Sequence, residues 1–305
     1  MTRTRDGKPS IAGFESEARD SVDVSEDCPT VQLRLDSRPE TLTLVRGVLG
    51  GVAELLALDL ELLDDLKTAV SEACNNVVMH AYDGAAGPLE VFLYVNPGAI
   101  EVVVRDEGTG IPDQALSNDR MQGVGVPIIR ALAQEAEFRS RREGGTEVWM
   151  AFSGQRDGAA LFQHAEDPAP DDGWVRRLSG DAVVSLSPVS FLGGVLGRLA
   201  RALAARARFS LDRFSDVYLV TDAVAAHASR AAKSGRIGFG ISTQPRRLEL
   251  TLGPLRTGAS TQLTEDPRSG GAGSALTMLS DELTISPVNG AEVLRVVLLD
   301  EPRSS

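Results

Sequence analysis

The sequence predicts an α/β (α+β) chain built as a two-layer α/β sandwich that occurs twice. Three observations predict it. Apolar residues switch between a period of two and a helical period along the chain. Two turn-centred pairs of β-branched runs follow two long amphipathic helices. The whole pattern then restarts after a Pro/Asp-rich stretch. The length of 305 residues fits two domains of ordinary size.

Residues 1–29 are polar, acidic and without period, and read as a flexible tail. The first domain spans 30–152. Val31, Leu33 and Leu35 alternate with polar residues as in a strand. Residues 40–57 follow as an amphipathic helix with Leu42, Val45, Val48, Leu49 and Val52 on one side. Leu63, Leu66, Val70, Ala73 and Val77 place a second helix over 62–81. Pro88 to Val95 and Ala99 to Arg105 flank Asn96-Pro97-Gly98, a hairpin signal. A Gly-rich segment covers 106–125, and a short helix runs from 126 to 134. Phe138 to Arg142 and Thr146 to Phe152 form a second hairpin around Glu143-Gly144-Gly145. Residues 153–180 read as a linker, because His164 to Gly173 is rich in Pro and Asp.

The second domain, 181–301, echoes the first at a shift of about 145–150 residues. Gly47-Val-Leu-Gly50 recurs as Gly194-Val-Leu-Gly197. Val70-Ser-Glu-Ala73 recurs as Val220-Thr-Asp-Ala223. The hairpin at 89–105 is echoed by 236–252. Gly108-Thr-Gly110 is echoed by Arg256-Thr-Gly258, Gly123-Val-Gly125 by Gly271-Ala-Gly273, and Gly145-Thr-Glu-Val148 by Gly290-Ala-Glu-Val293. The shared order carries the inference, since each match alone is weak.

Composition narrows the function. A net charge of −12 repels phosphate backbones, so bulk nucleic acid binding is not expected. Two cysteines, Cys28 and Cys74, make no disulfide framework and fit a reducing cytoplasm. No apolar run has the length of a membrane span, and the segment Phe191 to Leu203 is broken by Arg198 and Arg201.

Glu72, Asn76 and His80 stand at i, i+4 and i+8 of the second helix, on one face. An amide oxygen can coordinate Mg²⁺ while phosphates and water complete the shell. A carboxylate one turn away can take the proton of a hydroxyl that attacks a phosphate. Alone, the three also fit the solvated face of an amphipathic helix. Asp106, at the end of a strand, can accept a hydrogen bond from an exocyclic amine such as that of adenine. Gly108 and Gly110 let the backbone turn and approach a ligand, or make an ordinary turn. Gly123 and Gly125 open a helix, where free N–H groups suit phosphate. Neither a dinucleotide fingerprint nor a Walker loop is formed.

The order of these pieces resembles the Bergerat-type, or GHKL, ATP-binding fold (the HATPase type). Ser71-Glu-Ala-Cys-Asn-Asn-Val-Val-Met-His80 resembles its N box. Ala69-Val-Ser-Glu-Ala73, Arg105-Asp-Glu-Gly108 and Gly144-Gly-Thr146 are similar to the anti-sigma factor serine kinases. The resemblance covers about residues 30–152. It implies ATP and Mg²⁺ as ligands. It implies Glu72 as the general base, Asn76 as the metal ligand, and Asp106 as the reader of the adenine amino group with help from Thr146. Gly108 and Gly110 would lie under the adenine. Residues 111–122 would form a lid, and Gly123 and Gly125 would meet the phosphates. Arg120 is a candidate for contacting the γ-phosphate or the protein substrate, or is a solvated arginine. His80 and Cys74 are expected to pack rather than react.

The same resemblance implies a serine/threonine-protein kinase that phosphorylates a STAS-domain anti-anti-sigma protein and controls a sigma factor. An ATP-binding scaffold with little transfer, or a split histidine-kinase module, is the alternative. The second copy has Asp222 for Glu72, Ala226 for Asn76, Pro254 near Asp106 and Ala291 for Thr146. It is expected to fold without using MgATP. It would replace the partner of a homodimer by an intramolecular pseudo-dimer, or leave the chain to form a homodimer.

Overall fold

A computed structural model describes residues 28–96, 98–110, 125–153, 173–260, 263 and 272–300. Strand β1 (Val31–Asp36) sends Val31, Leu33 and Leu35 into the core and its polar residues outward. Helix α1 (Thr41–Leu55) buries Leu44, Val45, Val48, Leu49 and Val52. Helix α2 (Leu60–His80) begins at Asp59, whose carboxylate accepts the Leu62 N–H at 2.8 Å. That cap satisfies a donor the helix cannot satisfy itself. Strands β2 (Pro88–Asn96) and β3 (Ala99–Asp106) form a hairpin in register from Leu89–Asp106 to Asn96–Ala99. Helix α3 (Gly125–Leu132), β4 (Glu135–Ser140) and β5 (Thr146–Ser153) complete the first half.

Strand β4 starts three residues earlier than its sequence pattern suggests. Glu135 and Glu137 pair with Ala151 and Trp149, so the strand extends through two charged residues. The pairing wins over propensity because β4 is the sheet's edge, where charges face water and blunt the edge.

The second half repeats the succession of elements. It contains β6 (Ala182–Leu186), α4 (Phe191–Arg206), α5 (Leu211–Ala231), β7 (Ile237–Gln244), β8 (Arg247–Leu255), α6 (Ala272–Leu279), β9 (Glu282–Val288) and β10 (Ala291–Leu299). Ser210 caps α5 as Asp59 caps α2, its hydroxyl accepting from the Arg213 N–H.

The ten strands form one antiparallel sheet in the order β4-β5-β3-β2-β1-β6-β7-β8-β10-β9. The halves join at its centre, where β1 pairs with β6 from Val31–Leu186 to Leu35–Ala182. The helices lie on one face, and a single continuous core between helices and sheet runs through both halves. At the middle of the helix layer α1 packs on α4. A Cβ on Gly51 would come within 2.5 Å of the Gly194 carbonyl oxygen, and one on Gly194 within 2.7 Å of that of Gly51.

The helix-free face differs between the halves. In the first, Phe92, Tyr94 and Val103 form a buried cluster with Trp149 against it, and the Arg105 guanidinium lies 4.8 Å over the Phe92 ring. In the second, Leu178 and Ser179 lie against Gly238 and Gly240 of β7. This places the chain just before β6 on the sheet. The tail 1–27, most of the linker (154–172) and the segment 111–124 lie outside the described residues.

Candidate nucleotide site

Two clusters of the predicted residues lie along α2. The first surrounds Glu72 and Asn76. They sit one turn apart, half-buried, and face the start of α3. A Cβ on Gly125 would lie 3.1 Å from Glu72 Oε2 and 3.2 Å from Asn76 Oδ1. The fold thus joins a carboxylate, an amide and the N-terminal end of a helix. Ser71, next to Glu72, accepts from Arg46 Nε at 2.8 Å and donates to the Lys67 carbonyl, which ties this part of α2 to α1.

His80 does not pack as expected: at the last position of α2, where the helix ends, it is exposed. Cys74 is fully buried, and burial pushes its thiol up to about 12, so it stays protonated and unreactive.

The second cluster surrounds Asp106, the last residue of β3, which is 3 % exposed. Its Oδ1 accepts the Gly108 N–H at 2.8 Å and the Thr146 N–H at 3.2 Å. Thr146 therefore reaches Asp106 through its backbone. Oδ2 has no partner among the described residues, so it remains an acceptor for a ligand donor. The loop after Asp106 is pressed onto the end of α2. A Cβ on Gly108 would lie 2.1 Å from the Ala81 carbonyl oxygen, and one on Gly145 would lie 2.0 Å from that of Asp106. The Thr109 N–H donates to Ala81 O at 3.0 Å. Gly110 follows with φ +77° beside Gly145. Ala81 is five residues beyond Asn76, or about 7.5 Å along a helix axis, so the two clusters are neighbours. Arg120, Gly123 and the segment 111–122 lie outside the described residues.

Two residues that the sequence reading passed over hold this second cluster. Arg141 Nη1 donates to the Asp106 carbonyl at 3.2 Å. Tyr82, on the turn after α2, donates its hydroxyl to Pro88 O and accepts from the Glu107 N–H at 2.8 Å. Burial raises its phenol above the ordinary value, so it is a neutral donor at any working pH. Neither belongs to a spaced motif, and only the tertiary pairing gives them a role.

No group of three or more His, Cys, Asp or Glu side chains is placed to hold a metal among the described residues. The donor set fits Mg²⁺ carried by a nucleotide. Asn76 offers one hard oxygen, and phosphates and water supply the rest.

At the corresponding place in the second half, Asp222 is exposed and Ala226 stands one turn on. Glu292, 7 % exposed, accepts from the Gly258 and Ser260 N–H groups. His227 Nε2 lies 3.2 Å from the Ser260 hydroxyl. Burial, then the charge of Arg230, pushes His227 below its ordinary value, with Glu292 pulling the other way. Burial alone would raise the Glu292 carboxyl, but its N–H donors outweigh that and leave it low. Glu292 takes up two backbone donors of the turn after β8, and His227 meets a hydroxyl of the same turn. Separately, a cleft of about 490 Å³ in the helix seam is lined by Gly51, Glu54, Arg198, Arg201, Tyr218 and Asp222. It contains none of the first-half site residues.

A family model described as "Histidine kinase-like ATPase domain" matches residues 35–152. Serine-protein kinase RsbW of Bacillus pumilus (strain SAFR-032) is 36% identical over 133 residues, covering 38% of this chain and 82% of that protein. Serine-protein kinase RsbW of Bacillus subtilis (strain 168) is 37% identical over 142 residues, covering 41% and 88%. The anti-sigma F factor of Caldanaerobacter subterraneus subsp. tengcongensis is 31% identical over 129 residues, covering 39% and 90%. Each match spans well under half of this chain but most of the relative. These matches show that the chain belongs to the anti-sigma factor serine kinase family of histidine kinase-like ATPase domains.

Proposed function

We propose that residues 30–152 bind MgATP and transfer its γ-phosphoryl group to a serine or threonine of a STAS-type antagonist, and that the protein thereby controls a sigma factor. The observation that carries this reading is the approach of Gly125, at the start of α3, to Glu72 and Asn76. It supports the reading because a carboxylate, an amide oxygen and the start of α3 lie together, and a base, a hard-cation ligand and a helix N-terminus suit phosphoryl transfer. Asp106 Oδ2 takes the adenine amino group, with Thr146, Gly108 and Gly110 shaping that end. Asn76 would hold Mg²⁺, which would supply charge neutralisation. Glu72 takes the proton of the acceptor hydroxyl as its oxygen attacks the γ-phosphorus and ADP departs. Such transfer rests on positioning and electrostatics, which these residues supply. Gly123 and Arg120 are proposed to act at the phosphate end.

Residues 181–301 are proposed to be a degenerate copy that contributes contact and regulation. Ala226 and Pro254 support this, because they stand where Asn76 and Asp106 stand in the first half and can neither hold a hard cation by a side chain nor accept from an exocyclic amine. The two halves together would form an intramolecular pseudo-dimer, supported by the β1–β6 pairing and the α1–α4 crossing. Among the described residues no helix is long and apolar enough to cross a membrane. The free thiols of Cys28 and Cys74 favour the cytoplasm as the compartment.

A second reading is an ATP-binding scaffold with little transfer, favoured by the cleft in the helix seam, where a partner segment could dock. Incubation with labelled ATP and STAS proteins of the same genome separates the two. Label on a STAS protein that disappears in Glu72→Gln supports the kinase. Binding of nucleotide without transfer to any of them supports the scaffold.

A further inference from the structure

We infer that Tyr82 is a positioning residue for adenine recognition, acting through Asp106. This rests on the reading of Asp106 as the adenine acceptor. The β2–β3 register pairs Leu89 with Asp106, so the next pair would be Pro88 with Glu107. That pair does not close. The Tyr82 hydroxyl stands between the two groups, donating to the Pro88 carbonyl at 2.5 Å and accepting from the Glu107 N–H at 2.8 Å. It ends the ladder at Asp106 and keeps the following residues out of the sheet.

The consequence falls on the Asp106 carboxylate. Once Glu107 is held away from Pro88, Gly108 can reach back with its N–H to Oδ1 and lie under Ala81. Oδ1 is then fixed by two backbone donors, and Oδ2 is left to face a ligand. The ring is held as firmly as the hydroxyl. Gly87 lies directly against it, where an added Cβ would meet ring carbons at 2.3–2.5 Å. Arg141 donates to the Asp106 carbonyl.

The second half has no tyrosine at this place. Ala232 and Lys233 follow α5 as Ala81 and Tyr82 follow α2. There the backbones close on each other directly: Ala232 bridges to Leu255, the Lys233 N–H donates to Pro254 O at 3.1 Å, and the Arg256 N–H donates to Ala231 O at 2.7 Å. No acidic residue is left at that strand end, since residues 253–255 are Gly, Pro and Leu. The tyrosine spacer and the adenine acceptor thus occur together in one half and are both replaced in the other.

The test uses the full chain and compares ATP with GTP, which lacks the exocyclic amine at the position Asp106 would read. Tyr82→Phe keeps the ring against Gly87 and removes both hydrogen bonds. Binding of MgATP is expected to weaken about five- to tenfold, the value of one hydrogen bond made or lost at the ligand. GTP binding is expected to change less, so the ATP/GTP ratio falls. A merely structural role would lower the melting temperature and weaken both nucleotides equally, leaving the ratio unchanged, and that result would overturn the inference. Asp106→Ala is measured beside it. If Asp106→Ala loses ATP while Tyr82→Phe keeps the wild-type ratio, the tyrosine inference alone fails. If Asp106→Ala binds ATP like the wild type, the reading of the site fails with it.

Discussion

Gly51 of α1 and Gly194 of α4 meet backbone against backbone, each with a carbonyl oxygen where the other's side chain would begin. Beside them, the position of a Cβ on Gly47 lies 3.8 Å from the Arg198 Cβ. The shift that relates Gly47-Val-Leu-Gly50 to Gly194-Val-Leu-Gly197 takes Gly47 to Gly194 and Gly51 to Arg198, so it exchanges the two contacts. The crossing is therefore reciprocal, in the manner of a two-fold interface. At Gly51 and Gly194 it leaves no space for a side chain between the two helices.

A side chain at either glycine must separate α1 from α4. Gly51→Val and Gly194→Val are each expected to destabilise the chain by about 1–3 kcal/mol, the usual cost of overpacking. Denaturant unfolding measures this. Gly193→Ala, where a Cβ meets nothing within 4 Å, is the control and should be near neutral.

Removing the base should separate chemistry from binding. Glu72→Gln preserves size and hydrogen bonding but cannot take a proton. Phosphoryl transfer is expected to fall about 10²–10⁴-fold, the contribution of a positioned base, with MgATP affinity little changed. Labelled transfer and equilibrium binding, measured on the same preparation, check this. An equal loss of both would place Glu72 in binding instead.

His227 makes stability depend on pH. Its folded value lies below the unfolded one, so the unfolded chain binds more protons as pH falls through the ordinary histidine range. Stability is full above about 6.5, the unfolded value, and declines as pH drops below it. Glu292 and Asp300, both held below their ordinary values, add losses of the same sign at lower pH. Unfolding midpoints across that range should show the first decline in the wild type. The variant His227→Gln should lack it and keep the later one.

Much of the first half was legible from local pattern. Leu63, Leu66, Val70, Ala73 and Val77 at helical spacing mark a helix, and Asn96-Pro97-Gly98 between β-branched runs marks a hairpin, because both signals are short-range chemistry. Glu72 and Asn76 were legible because helical spacing puts them on one face. The approach of Gly125 to them was not, since it depends on how α3 docks on α2. The pairing of β1 with β6 joins strands about 150 residues apart, and apolar alternation names no partner strand. Tyr82 carries no local signal either. Its hydroxyl matters only because the hairpin register brings Pro88 and Glu107 to face each other.

The central claim is that one chain carries one working nucleotide site, in its first half. Calorimetric titration of the full chain with MgATP tests this most directly, using the wild type and the double variant Asn76→Ala/Asp106→Ala. The account predicts one nucleotide per chain in the wild type and none in the double variant. Two nucleotides per wild-type chain, or binding that survives in the double variant, would contradict it.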